Sequence, residues 1–212
     1  MKSLSQSAKA YSEIRNKILS NQLAAKTRIK EDAWATKTGV NRMAVREALS
    51  RLHGEQLLTL GEKGGYFVNA LTAEDIHTIR ELREILETGA IKLLAQKITK
   101  EKIGKLERIC NDFTTMIKEK YFAGACEADI KFHETIIDFA ENEKLLKVYK
   151  TSHIPLFHQQ LSKAQNTMQD FELTDSEHRQ IVKALKEGKP DTAQKWLVKH
   201  FARGESIMLE ID

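Results

Sequence analysis

Proline is nearly absent from this chain: Pro155 and Pro190 are the two in 212 residues. With so few helix breakers, long uninterrupted helices are available to most of it. Cysteine is equally scarce. Cys110 and Cys126 stand alone without metal-type pairing, which argues against a disulfide framework and suits a reducing compartment. No apolar run approaches the ~20 residues of a membrane span. The opening MKSLSQSAKAYSEIRNK lacks the apolar centre of a signal peptide, so a cytoplasmic protein with no membrane partner is expected. Low-complexity tracts are missing too. What is present, 41% hydrophobic residues, suffices for real cores in one large or two small domains.

The net charge of +4 is unevenly shared. Residues 1–70 carry 12 Lys/Arg against 6 Asp/Glu, whereas residues 71–212 carry 22 against 24. The basic excess therefore lies in the first third, as attraction to nucleic-acid phosphates requires.

Within that third, Gly39–Leu52 reads as a helix built to lie against DNA. Val45, Ala48, Leu49 and Leu52 fall on one apolar stripe at about 100° per residue. Arg42 and Arg46, four apart, share a second face. Arginine can bond bidentately to guanine edges or clamp phosphates; an ordinary amphipathic helix with solvated arginines fits the same pattern. The flanks decide. Ser12–Gln22 carries Ile14, Ile18 and Leu19 at helical spacing, Glu31–Thr38 is a short second helix, and Asn41 is a good N-cap after the Thr38-Gly39-Val40 turn. Downstream, Leu57–Leu60 and Tyr66–Val68 are β-prone runs joined by Gly61-Glu62-Lys63-Gly64-Gly65, a hairpin signal. Three helices and a glycine-rich hairpin describe a winged helix-turn-helix.

On these residues the segment 11–68 resembles the DNA-binding domain of GntR-type transcriptional regulators. The family's Ser-Arg-Thr-Pro-Val-Arg-Glu-Ala-Leu stands here as Asn41-Arg42-Met43-Ala44-Val45-Arg46-Glu47-Ala48-Leu49, and the Gly-Gly-Tyr-Phe-Val wing is present. The departures are Asn41 for Ser, Met43-Ala44 for Thr-Pro and Trp34 for a leucine. They are expected to change the cap and the packing more than the base-reading arginines. The resemblance implies Asn41, Arg42, Arg46, Lys63 and Gly64 at the DNA; for Lys63, a solvated hairpin tip is the plain alternative.

Beyond a boundary near Asn69–Thr72, helical periodicity takes over. The spacing predicts helices over Ala73–Gln96, Lys100–Glu119, Ala123–Ala140, Glu143–Asn166, Asp175–Glu187 and Asp191–Leu209, with Pro155 kinking the fourth and Pro190 starting the last after Gly188. The expected fold is therefore mainly α: a winged helix-turn-helix domain over 1–70 and an all-α bundle over 71–212. Polar residues interrupt its apolar faces. Asp129 and His133 lie in line with Ile136 and Ala140; His178 with Ile181, Val182 and Leu185; His200 with Ala193, Leu197 and Gly204. One such histidine is more often a satisfied core residue than a ligand. Three, with a carboxylate at i−4, suit Zn, Ni, Fe or Mn. Arg83, in line with Ile79, Leu86 and Ala90, also points inward, either as a buried salt bridge with Glu87 or as a clamp for an acidic ligand.

Residues 72–210 carry a second resemblance, to the FCD effector domain of one GntR subfamily. Its Asp-x-x-x-His, Glu-His and final His stand here as Asp129–His133, Glu177-His178 and His200. The resemblance implies a divalent transition metal on Asp129, His133, His178 and His200. It also implies a small organic acid bound beside the metal, with Arg83 and Asn142 as effector-binding positions. His153 and His158 sit near Pro155, and His158 reads as a core or pocket-lining residue; His53 and His77 read as surface or hinge residues, Trp196 and Phe201 as core, and Lys97–Lys105 as solvated charge.

The function these readings support is a ligand-responsive, metal-containing DNA-binding regulator, by family habit a repressor. It is expected to act as a homodimer on a near-palindromic double-stranded operator. Two alternatives stand beside it: a metal-dependent enzyme built on the same Asp and three His, and a constitutive DNA binder with a structural metal. Glu177 could be cast as a general base for the enzyme, but its position turns it away from His178, and no nucleophile motif is present.

Overall fold

The computed structural model describes residues 5–20, 22–152, 154 and 167–210. One compact unit lies within Met1–Thr72, and a second comprises Ala73–Lys150 with the C-terminal segment. The Pro155 kink, His153, His158 and the far half of the expected Glu143–Asn166 helix fall outside the described residues.

In the first unit, α1 (Gln6–Leu19) is followed by β1 (Arg28–Ile29), α2 (Glu31–Thr38), α3 (Arg42–Gly54), β2 (Leu58–Leu60) and β3 (Tyr66–Val68). Helix α1 starts six residues before the expected Ser12, because the Ser5 hydroxyl accepts from the Ala8 N–H and Ala10 joins Ile14 and Ile18 in the core. Gly39 ends α2 in the left-handed region at φ 66°, a conformation glycine adopts without strain. Asn41 then caps α3 through the Ala44 N–H. Val45, Ala48, Leu49 and Leu52 pack against Ile14, Ile18, Trp34 and Val68, so Trp34 fills a core position here.

The wing is three-stranded, in the order β1-β3-β2, all antiparallel. Strand β1 was not anticipated: two residues are too few to show an alternating pattern. Gly61 and Gly65 close the hairpin by a backbone hydrogen bond of 2.9 Å. A Cβ on Gly61 would sit 2.6 Å from the Phe67 ring.

The second unit contains α4 (Ala73–Gln96), α5 (Lys100–Lys118), α6 (Phe122–Phe139), α7 (Glu143–Thr151), α8 (Met168–Lys186) and α9 (Pro190–Leu209). Helix α4 packs on α6 and α9, α5 on α6 and α8, and α8 on α9, so five helices close a ring around a common interior. Helix α8 begins seven residues before the expected Asp175. Thr167 caps it, and Phe171 and Thr174 are buried in its first turns. Phe171 stacks on Phe122 at 4.8 Å and tilts against Phe113. That packing extends the helix through a stretch whose local sequence gives no clear start. Gly188, at φ 67°, ends α8, and Pro190 opens α9 as expected. Trp196 departs from its core assignment: it is half-buried, with the Lys199 ammonium 4.8 Å from its ring. Phe201 is buried. Among the described residues, no helix is long and apolar enough to cross a membrane.

Candidate metal centre and nucleic-acid interface

The ring's interior is polar at one point. Helix α6 supplies Asp129 and His133, α8 supplies His178 and α9 supplies His200; all four are buried, and one ligand atom from each lies within 4.8 Å of the others. His133 Nε2 is 3.1 Å from His200 Nε2. Asp129 Oδ1 is 3.3 Å from His178 Nε2, 3.7 Å from His133 Nε2 and 3.9 Å from His200 Nε2. A cation bonded to N and O at ~2.0–2.2 Å holds neighbouring ligand atoms roughly 3.0–3.5 Å apart; the two shortest separations meet this, and the longer ones, up to 4.8 Å, would close in on a bound ion.

Hydrogen bonding sharpens the fit. His133 Nδ1 lies 2.7 Å from Glu87 Oε2, and His200 Nδ1 lies 3.0 Å from Glu177 Oε2. A carboxylate accepts, so each Nδ1 carries the hydrogen, and a ring in its neutral form keeps its lone pair on Nε2. Two lone pairs cannot face each other at 3.1 Å without a proton or a cation between them. Asp129 Oδ1 and His178 Nε2 are likewise buried without a hydrogen bond of good geometry among the described residues. Orphaned acceptors at one buried point cost free energy that a cation there would offset. The donor set fits a divalent transition metal.

Charge around the centre is arranged in two parallel relays. Arg83 Nε donates to Glu87 Oε1 at 3.0 Å, and Glu87 holds His133. Arg203 Nη2 donates to Glu177 Oε2 at 2.8 Å, and Glu177 holds His200. The Tyr149 hydroxyl also donates to Glu87 at 3.3 Å. Burial would raise the Glu177 carboxyl, but His200 and Arg203 hold it down at about 2. Burial pushes the His200 imidazole down to about 3 and lowers His178 as well. His133 moves the other way: burial depresses it, yet the Glu87 carboxylate lifts it above its ordinary value. Asp129 is held well below the usual carboxylate range by His133 and His178, against the opposing effect of burial.

Sequence reasoning placed Arg83 inward and offered Glu87 as its partner, and both hold in this geometry. It missed the grip of Glu87 on His133. It also turned Glu177 away from the site; the carboxylate does turn from His178, but only to reach His200 on the adjoining helix. Arg203 was overlooked, although Arg203 and His200 lie three apart on one helix face. Asn142 caps α7 through the Lys144 and Leu145 N–H groups at 3.1 Å each and is solvent-exposed. A capping role accounts for its side chain.

In the first unit, Arg42 and Arg46 project from α3 with side chains 59% and 55% exposed. Neither is free of its neighbours. Arg46 grips Glu31 through Nε and Nη2 at 3.0 and 2.9 Å, and Arg42 reaches Asp32 at 2.8 Å and Glu31 at 3.6 Å. The Arg46 hydrogen bond lowers the Glu31 carboxyl from its ordinary value. The only advance signal of this pairing was two acids in the first turn of α2, which favour that helix terminus anyway. Asn41, besides capping α3, donates through its side chain to Gln6 at 2.8 Å. Lys63 and Gly64 lie exposed at the wing tip, Gly64 at φ 78°.

Comparison with known proteins accords with both halves. Residues 6–68 match the family "Bacterial regulatory proteins, gntR family", and residues 78–203 match the FCD domain. The chain is 30% identical to the Nta operon transcriptional regulator of Aminobacter aminovorans, over 87% of this chain and 85% of that one. It is 28% identical to the gluconate operon transcriptional repressor of Bacillus licheniformis, over 89% and 79%. Among solved structures, a putative GntR transcriptional regulator from Rhodococcus sp. RHA1 superposes with a TM-score of 0.84 at 18% identity, covering 98% of this chain and 99% of that one. E. coli McbR/YncC gives 0.82 at 16%, with the same coverage. These two likenesses speak for the fold. A winged helix-turn-helix followed by an FCD helical domain, matched across nearly the whole chain, makes this protein a member of the gntR family of bacterial regulatory proteins, a DNA-binding transcriptional regulator and not an enzyme.

Proposed function

We propose that this protein is a metal-containing repressor whose operator affinity is set by a small organic acid. The observation that carries the reading is the buried convergence of Asp129, His133, His178 and His200, ligand atoms within 4.8 Å, backed by the Glu87 and Glu177 carboxylates. These four residues would hold a divalent Zn, Ni, Fe or Mn ion. When bound, the ion supplies a Lewis-acidic point that can accept an oxygen ligand if its coordination stays open. The chain's own residues do the rest. Arg83, buried with its guanidinium 4.2 Å from the Phe201 ring centre, keeps a cationic fork in the bundle interior that suits a carboxylate. Glu87 and Glu177 fix the tautomers of two ligating imidazoles.

Repression is the sign supported by the gluconate operon repressor among the relatives. Two chains on a near-palindromic operator would present two copies of α3 to successive major-groove faces, with Asn41, Arg42, Arg46, Lys63 and Gly64 at the DNA and the compartment cytoplasmic. The domain limits of this reading are 1–70 and 71–212.

The test is elemental analysis of the purified chain, followed by thermal melting with and without chelator and with a panel of organic acids. We expect about one transition-metal ion per chain, a fall in melting temperature on chelation, and a rise with at least one acid only when metal is present. A chain that purifies without metal and melts identically in chelator would overturn the metal assignment. Chelation that unfolds the bundle, with no acid shifting its stability, would leave a structural metal and overturn the sensor.

A further inference from the structure

Sequence reasoning assigned Met43 to capping and packing. The structure does otherwise: Ala44 is buried beneath α3, while Met43 is 67% exposed. At about 100° per residue, the buried side chains Ala44, Val45, Ala48, Leu49 and Leu52 fill one arc of α3. Met43 stands at the middle of the opposite arc, with Ser50 and Glu47 on either side of it. Arg42 and Arg46 lean to one flank, toward α2, where Glu31 and Asp32 hold them. Met43 is also the one large apolar side chain among the exposed residues of α3. When α3 enters a major groove, the residue opposite the domain core meets the groove floor. The floor of B-DNA offers a single apolar group to a flexible thioether chain, the 5-methyl of thymine.

We propose that Met43 is a specificity-determining residue that reads a thymine methyl in the operator. The inference rests on α3 being the DNA-reading element. A bare exposed methionine on the surface would need no explanation; a lone apolar side chain at the centre of a polar reading face does.

The experiment uses the full chain and double-stranded DNA. Binding sites are selected from a random duplex pool, and each thymine of the enriched site is then replaced in turn by uracil, which lacks only the methyl. We expect one T-to-U position in each half of the site to weaken binding about threefold to fivefold, the worth of one buried methyl. In Met43→Ser, checked for unchanged melting, thymine and uracil at that position should bind alike. Restoring the methyl as 5-methylcytosine in a C-substituted site should recover part of the wild-type affinity. If a site is enriched but uracil is tolerated at every position, or Met43→Ser still prefers thymine, the inference is overturned and the DNA-reading role of α3 survives. Failure to enrich any site would overturn that role itself.

Discussion

At the scale of single residues, the most consequential side chains are those that touch the candidate ligands from behind. Glu177 holds His200 Nδ1 at 3.0 Å and is itself held by Arg203. Carboxylates in this position orient the imidazole and raise its basicity as a ligand. Replacing Glu177 with Gln should therefore weaken metal affinity about 10–100-fold, measured by competition with a chromophoric chelator, while leaving the helical content intact. An unchanged affinity would mean that Glu177 serves the fold alone. Sequence periodicity did put Asp129, His133, His178 and His200 on inward faces, because i,i+4 spacing on a helix is visible in one dimension. The relays were not visible. Glu87–His133 and Glu177–His200 join residues 46 and 23 positions apart, and which carboxylate meets which imidazole depends on how helices pack.

Among elements, α8 shows how packing extends a helix past its local signals. Phe171 is the one buried apolar side chain of its first turns, packed against Phe113 and Phe122, while Met168 and Leu173 are exposed. Phe171→Ala should cost about 3–5 kcal/mol in chemical denaturation of the second unit and fray α8 back toward Asp175. A loss below ~1 kcal/mol would show that Thr167 capping, and not Phe171, sets the start. The helices α4, α5, α6 and α9 were legible to within one or two residues because their apolar stripes are long, with the Thr99 cap and Pro190 marking the starts of α5 and α9. The two-residue β1 escaped because it shows no pattern of its own and depends on pairing with β3, and the early start of α1 rests on the small Ala10 and the Ser5 cap, weaker signals than Ile14 and Ile18.

At the scale of the molecule, the division of charge separates two jobs. The excess of Lys/Arg over Asp/Glu is confined to residues 1–70, and the helical remainder is slightly acidic. DNA affinity should therefore fall steeply with ionic strength, at least tenfold between 50 and 200 mM salt, in fluorescence anisotropy with the full chain. Arg46→Ala should flatten discrimination between selected and random duplexes, by ~1–3 kcal/mol. A salt-independent affinity would contradict an interface dominated by phosphates. The family and the two-part architecture could be read from sequence because both halves carry dense local motifs. Which ion the four side chains would hold could not, since imidazole and carboxylate accept several.

The ion pairs between α2 and α3 bear on how such a protein finds its target. Before Arg42 and Arg46 can touch any duplex, their bonds to Glu31 and Asp32 must loosen or be shared. That penalty is the same for every stretch of chromosome. Only a duplex whose base edges return more than the two carboxylates supplied is bound for long. On random sequence the internal carboxylates would compete directly with phosphates, so residence there should be short. If α3 reads DNA as proposed, acids ten to fifteen residues upstream of its arginines would act as a kinetic filter, shortening the time wasted at wrong addresses.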